Sequence, residues 1–546
     1  MALMVSVLGL VLSACQEPDP PHVPAPPDTQ QPLLCKGTEP EPGPATLRLL
    51  TRVQYDNTLF DLLGDESHQG QTFPPEHRVE NFENNAETHQ ANPLLVERYW
   101  AAARDVSARA VSTRLDAIAP CADADTAPCV ASFLMNFGKR AFRRPILPEE
   151  LAAYQKLFEK AEPTLGYQTA IGLVLEAMLQ SPQFLYRVEA SVAPTPETGA
   201  IALGGYELAS RLSYFLWDSM PDEELFQAVD AHTLSTPEEV EAQARRMLAS
   251  PKARGMVADF YRQWLDLDRF DGLARDDASL DLGSPQALAD AWKQSLLSYV
   301  DFVFWDSSGT LAELFSSDLV FVDPTLAGIY GLTAPEQGFV GVAQPGQRAG
   351  LLTQPALMTL LSHADQSSPI QRGVFVRSQI LCDPPDPPPP TVDNTPPDPD
   401  PSLTTRERFK VHTASVACAT CHQLIDPLGF GFENYDHFGR FRSQENQIEI
   451  DASGAIVDSP DPSIDGPFST PFELAERLGS SETVRDCLAT HWYRFAMGRI
   501  ETEADLCSID QARTKFAASG GDLRELLIAL TSTDAFLYRP AMVEGE

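Results

Sequence analysis

Positive charge is scarce in this sequence. Forty Lys and Arg stand against 77 Asp and Glu, a formal net charge of −37 over 546 residues. That balance argues against binding a nucleic-acid backbone, which needs clustered cations. It suits solubility and basic partners or cations. Long apolar runs are lacking too. The run over residues 2–14 falls short of the ~20 residues that cross a bilayer as a helix. Strand-type alternation is rare, so the chain reads as mostly α. Disorder throughout is excluded, because 43% hydrophobic and 21% charged residues sit near the globular average.

Cysteine is neither absent nor even in number, with nine in all. The first, in Leu12-Ser13-Ala14-Cys15, resembles a bacterial lipobox, whose rule is cleavage before the cysteine and acylation of its sulfur. An ordinary signal peptide or a buried strand are the plainer readings. No Lys or Arg precedes the apolar run, which points to a true start upstream of Met1. Gln16 follows the cysteine where inner-membrane retention would want Asp. The expectation is a lipid-anchored protein of the cell envelope, at the outer membrane or facing the periplasm, with its other thiols in an oxidising compartment.

Residues 1–15 are then the lipoprotein signal, and the Pro-rich, acidic 16–45 a semi-rigid tether. Helical modules are expected over 46–120, 121–195 and 200–335, then a module over 350–442 with a Pro-rich arm, and a last one over 443–546. Thr51 and Gln54 form a capping box with Gly64 as the stop. Pro93 opens a helix through 115, and Cys129–Phe142 and Pro148–Ala161 read as two more. Ile171, Val174, Leu175, Met178 and Leu179 make one helical stripe, as do Leu208, Leu212, Phe215 and Leu216. Thr236, Pro237 and Glu239 make a second capping box. All these stripes read as core. The proline density of 382–401 forces an extended arm. An SH3-type ligand does not suit an exported bacterial chain.

Thr404 and Glu407 cap a helix leading into Cys418-Ala419-Thr420-Cys421-His422. CxxCH is the attachment signature of c-type haem. Two thiols a helical turn apart add to the two vinyl groups, and the next His ligates iron as the proximal base. A chance match is expected only roughly 0.003 times in a chain of this composition. Zinc would need a second CxxC or HxxxH pair, and a thioredoxin-like dithiol would need a βαβ unit; neither is visible. A plain disulfide is the remaining bland reading. Pro427 is expected to offer its carbonyl to the His422 ring. Phe430, Phe432, Tyr435 and Phe438 either wall the porphyrin or pack as core. Met497 is a candidate distal ligand, although a helical Met is more often core. His437 is nearer in sequence, and His412 precedes the attachment site on what reads as the same helix.

Over about 46–540 the chain resembles a family of bacterial exported multi-module proteins of unknown function that end in a cytochrome-c-like unit. The matching segments include LRLLTRVQYDNTLFDLLG (47–64), FGKRAFRRPILPEEL (137–151), LEAMLQSPQFLYRVE (175–189), YELASRLSYFLWDSMPDEEL (206–225), GLLTQPALMTLLSHADQSSPIQRGVFV (350–376), CATCHQLIDPLGFGFENYDHFGRFR (418–442) and CLATHWYRFAMGR (487–499). The resemblance implies export and haem c, and assigns no catalysis. The family usually has another apolar residue at Met497, which weighs against it as a ligand.

Other features read as structural. His77 and His89 flank the polar stretch 82–87 after Phe73-Pro74-Pro75, a hydrogen-bonded loop in preference to a cation or sugar site. Ser362, His363 and Asp365 lack a GxSxG elbow. Arg140, Arg143 and Arg144 should pair with nearby carboxylates in preference to a haem propionate. Once Cys15, Cys418 and Cys421 are assigned, six cysteines remain. The expected disulfides are Cys121–Cys129, closing a short loop, Cys487–Cys507, tying two successive helices, and Cys35–Cys382 by elimination. The expected function is one-electron transfer at the envelope through one haem c. The partners would be the membrane, through the lipid, and a redox protein of basic surface. A haem enzyme with an open sixth site, or a non-redox scaffold, are the alternatives.

Overall fold

A computed structural model describes residues 35, 39–120, 126–189, 199–273, 275, 284–387, 395–412 and 416–541, without the side chains of 126, 411, 412, 416–418 and 420. The chain is mostly α, and strands occur among the described residues only as five antiparallel pairs of short segments. No described helix is long and apolar enough to cross a membrane.

Local chemistry explains the helix ends. Thr51 and Gln54 form the expected reciprocal box at the start of Arg52–Leu63, and Gly64 ends it with a left-handed φ of 66°. Asn92 caps Pro93–Thr113, with Pro93 at the first position. Thr236 and Glu239 box the start of Pro237–Leu248. The stripe from Ile171 to Leu179 lies buried on Tyr167–Leu179, as does that from Leu208 to Leu216 on Gly205–Leu216. The helix begun at Pro148 runs past Ala161 to Leu165, because Pro163 in its last turn removes one hydrogen bond only. Helix is described over Thr405–His412 and over Val416–Phe430, and the residues between them lie outside the described set.

Among the described residues, buried apolar side chains gather in two cores. One joins Leu49 through Leu185 with Tyr214, Met220 and Phe226. The other runs from Phe82 and Leu203 to Leu537. Within the second, Phe260 stacks on Trp492 with centroids 3.6 Å apart and planes 9° off parallel. Such a pair adds about 0.5–1.5 kcal/mol beyond its buried area. Strand Tyr538–Pro540 returns to pair with Ala200–Ala202. Buried Arg211 donates to the carbonyls of Ala535 and Phe536. The chain's last helices therefore complete the core begun near residue 203.

The disulfides differ from expectation. Cys35 bonds Cys507 and Cys382 bonds Cys487, in place of Cys487–Cys507 and Cys35–Cys382. The reason is helix geometry. Cys487 lies ten residues before the end of Glu482–Met497, whereas Cys507 opens the following helix, Leu506–Ala518. At 1.5 Å per residue that offset is ~15 Å along the axis, beyond the ~7 Å Cα reach of a disulfide. Cys129 is also disulfide-bonded, but Cys121 lies outside the described residues.

Candidate functional site

The CxxCH motif lies on Val416–Phe430, which crosses Pro369–Phe375 at very close range. Two glycines permit this. A Cβ on Gly373 would lie 2.2 Å from the Ile425 carbonyl, and one on Gly429 would lie 1.8 Å from that of Pro369. Gly454 makes the same allowance on the other side, where a Cβ would meet the Pro427 carbonyl at 2.0 Å. The helix is thus clamped between backbones that could not approach side-chain-bearing residues so closely.

Cys421 is a partly exposed free thiol; the Cys418 side chain lies outside the described set. The His422 side chain is 20% exposed, and its Nδ1 meets Asp426 Oδ1 at 2.9 Å. Pro427 was the expected partner of this ring. Its carbonyl instead packs against Gly454, while the carboxylate one helical turn below His422 takes the nitrogen. Spacing i, i+4 on a helix could have signalled this. The donor set fits a haem c attachment: a thiol not consumed in a disulfide, followed by an imidazole whose tautomer and tilt are fixed from one side, so that iron ligation falls to Nε2.

The surrounding aromatics divide. Phe432, Tyr435 and Phe438 belong to the main core, with Tyr435 donating to the Gln347 carbonyl at 2.8 Å and Phe438 facing Trp292. Phe430 lies beneath the Arg406 guanidinium, 4.6 Å from its ring centre. The loop after the helix is organised by Arg372, which the sequence did not single out. Fully buried, it donates to the carbonyls of Phe432 and Tyr435 at 2.8 Å and to Ser362 Oγ at 2.9 Å. Ser362 is thereby a structural hydroxyl. Glu433, 3.6 Å from the guanidinium, accepts from Ser367 at 2.7 Å.

Met497 ends its helix buried, in a cleft with Pro42, Arg48, Arg211 and Arg499. None of these packs on the CxxCH helix at the glycine contacts above. His437 is partly buried, its ring centroid 4.8 Å from that of Phe438, and burial holds its pKa down. His491 touches both sulfurs of the Cys382–Cys487 bond at 3.6 and 3.5 Å and donates to the Gln379 carbonyl at 3.1 Å. Burial pushes it down to about 3, so it is neutral.

His77 is exposed, whereas His89 is buried with Nε2 3.1 Å from the Leu50 carbonyl, so the two do not converge. Of the three arginines, Arg144 pairs with Glu150 at 2.7 Å. Arg140 donates to the Asp61 carbonyl, and Arg143 to those of Gln183, Phe184 and Tyr186.

Five family models match the chain in sequence order, each described as a protein of unknown function. They are DUF1587 over 48–112, DUF1595 over 129–189, DUF1592 over 203–332, DUF1588 over 348–445 and DUF1585 over 465–536. The fourth also bears the cytochrome-like name PSCyt3 and spans the CxxCH motif. No curated protein and no solved structure matches. The chain is thus a multi-module protein assembled from these five domain families, with the cytochrome-named module holding Cys418, Cys421 and His422.

Proposed function

We propose that this is an exported redox protein carrying one haem c, which passes single electrons at the cell envelope. The observation that carries the reading is a free Cys421 next to a His422 whose Nδ1 is engaged by Asp426. Bound there, haem would supply the Fe(II)/Fe(III) couple. Cys418 and Cys421 would hold it through thioethers, and His422 would ligate through Nε2. A thiol left out of any disulfide, in a chain that forms others, weighs against CxxC as a structural crosslink. The same disulfides support an oxidising compartment, and a lipid at Cys15 would tether the chain there. The negative charge suits a basic redox partner.

A pyridine haemochrome assay after expression with a haem-attachment system tests the reading. One haem per chain is expected, with loss of covalent attachment in Cys421→Ser. Wild-type protein without covalent haem would overturn it.

One observation favours a second reading, a haem enzyme. Asp426 is a carboxylate, where a carbonyl was expected, and an anionic partner makes the proximal imidazole more basic and favours the ferric state. A high-spin ferric spectrum that shifts with cyanide or peroxide would support catalysis; an unresponsive low-spin spectrum supports electron transfer.

A further inference from the structure

Far from the CxxCH motif in sequence, the Arg52–Leu63 and Lys252–Trp264 helices line a cavity of about 870 Å³. That size is typical of sites for organic ligands. Among the described residues, seven carboxylates and three arginines line it.

The arginines are already committed. Arg52 pairs with Glu76 at 2.6 Å, Arg78 with Glu83 at 2.8 Å, and Arg262 with both Asp259 and Glu83 at 2.8 and 2.9 Å. An entering anion would have to break these pairs. The acceptors are not all satisfied. Asp218 is 6% exposed, and Gln54 donates to its Oδ1 at 3.0 Å, but its Oδ2 has no partner. Its φ of 48° is left-handed, a conformation that a non-glycine residue keeps only where its surroundings impose it. Asn84 donates from Nδ2 to the Phe495 carbonyl at 2.7 Å and leaves its buried Oδ1 unpartnered. Two buried, unpartnered acceptors on residues that line one cavity call for donors from outside the protein. Among the described residues, the cavity carboxylates do not bring three ligand atoms together around one point, so the lining suits a cation with several separated donors better than a bare metal ion.

We propose that this cavity binds an organic cation rich in hydrogen-bond donors, the chemistry shared by amino sugars and linear polyamines. Asp218 takes the ammonium group and Asn84 a second donor. Among the lining residues His68 is exposed, its side chain 65% accessible, whereas Asp218 is buried.

Titration calorimetry on the full chain tests this, with glucosamine trimer and spermidine as probes and galacturonic acid trimer as the anionic control. One of the two cations should bind one per chain, and the control should give no heat. Tighter binding of the trimer assigns the sugar, and tighter binding of spermidine the polyamine. Asp218→Asn should weaken binding about tenfold or more, the scale of one charge-assisted hydrogen bond. Asn84→Ala should weaken it by a smaller factor while leaving the carboxylate in place. Hydrogen exchange should show the bound cation protecting residues 68–84 and 252–264 in the wild type. No heat from either cation, equal affinity in folded Asp218→Asn, or preference for the galacturonate would overturn the proposal.

Discussion

At the scale of single residues, Asp426 and Asp218 are two carboxylates under opposite constraints. Asp426 is held by the imidazole it orients. Asp426→Asn removes the negative charge and keeps an acceptor. In the haem c protein proposed above, covalent haem should be retained while the midpoint potential rises, read by redox titration; an unchanged potential would mean that the carboxylate does not tune the ring. Asp218 is instead pushed up to about 7 by its burial and by the charge of Asp259, against the opposing pull of Arg187, Arg262 and the Gln54 amide. Its ordinary value is 3.8. Between those values the folded chain binds more protons than the unfolded one, so stability falls as pH rises through the window, and the full penalty applies above it. Asp218→Asn should therefore stabilise the protein on the order of 4 kcal/mol at pH 8 and little at pH 4, measured by denaturant melts at both. A gain that does not depend on pH would remove this account. The two roles differ in how far the sequence shows them. The i, i+4 spacing of His422 and Asp426 was there to be read, but Asp218 owes its state to burial and to Asp259, which act on it only in the folded chain.

At the scale of elements, the caps were written locally. Thr51 with Gln54, Asn92 before Pro93, and Thr236 with Glu239 bond within four residues, so the chain carries their geometry before it folds. The crossing of Val416–Phe430 with Pro369–Phe375 was not legible, since each helix shows only an unremarked glycine. Gly373→Ala should cost about 1–3 kcal/mol or more through a forced shift at the Ile425 carbonyl. Gly255→Ala, on an open helix face with nothing within 4 Å, should be neutral or slightly stabilising. Chemical denaturation of the pair measures the difference, and equal stabilities would show that the crossing relaxes freely.

At the scale of the whole molecule, the chain is closed by long-range covalent and strand links. Cys35–Cys507 spans 472 residues and Cys382–Cys487 spans 105. Non-reducing peptide mapping should recover these two links, and a peptide joining Cys487 to Cys507 would contradict the fold. The double variant Cys382→Ser, Cys487→Ser should lose about 2–5 kcal/mol. It should do so without affecting the haem attachment proposed above, because neither sulfur belongs to the CxxCH motif.

The sequence by itself determined what depends on near neighbours: the helical class, most helix ends, the apolar stripes and the CxxCH spacing. Each is a pattern repeated over a few residues, where backbone geometry sets which side chains share a face. Only the tertiary structure decided which cysteine meets which, that Asp426 takes the His422 ring while Pro427 packs on Gly454, that Met497 is buried beside Arg48 and Arg499, and that Asp218 and Asn84 line one cavity. Those outcomes depend on how helices cross and how far along their axes a residue lies, and such distances exist only once the cores have closed.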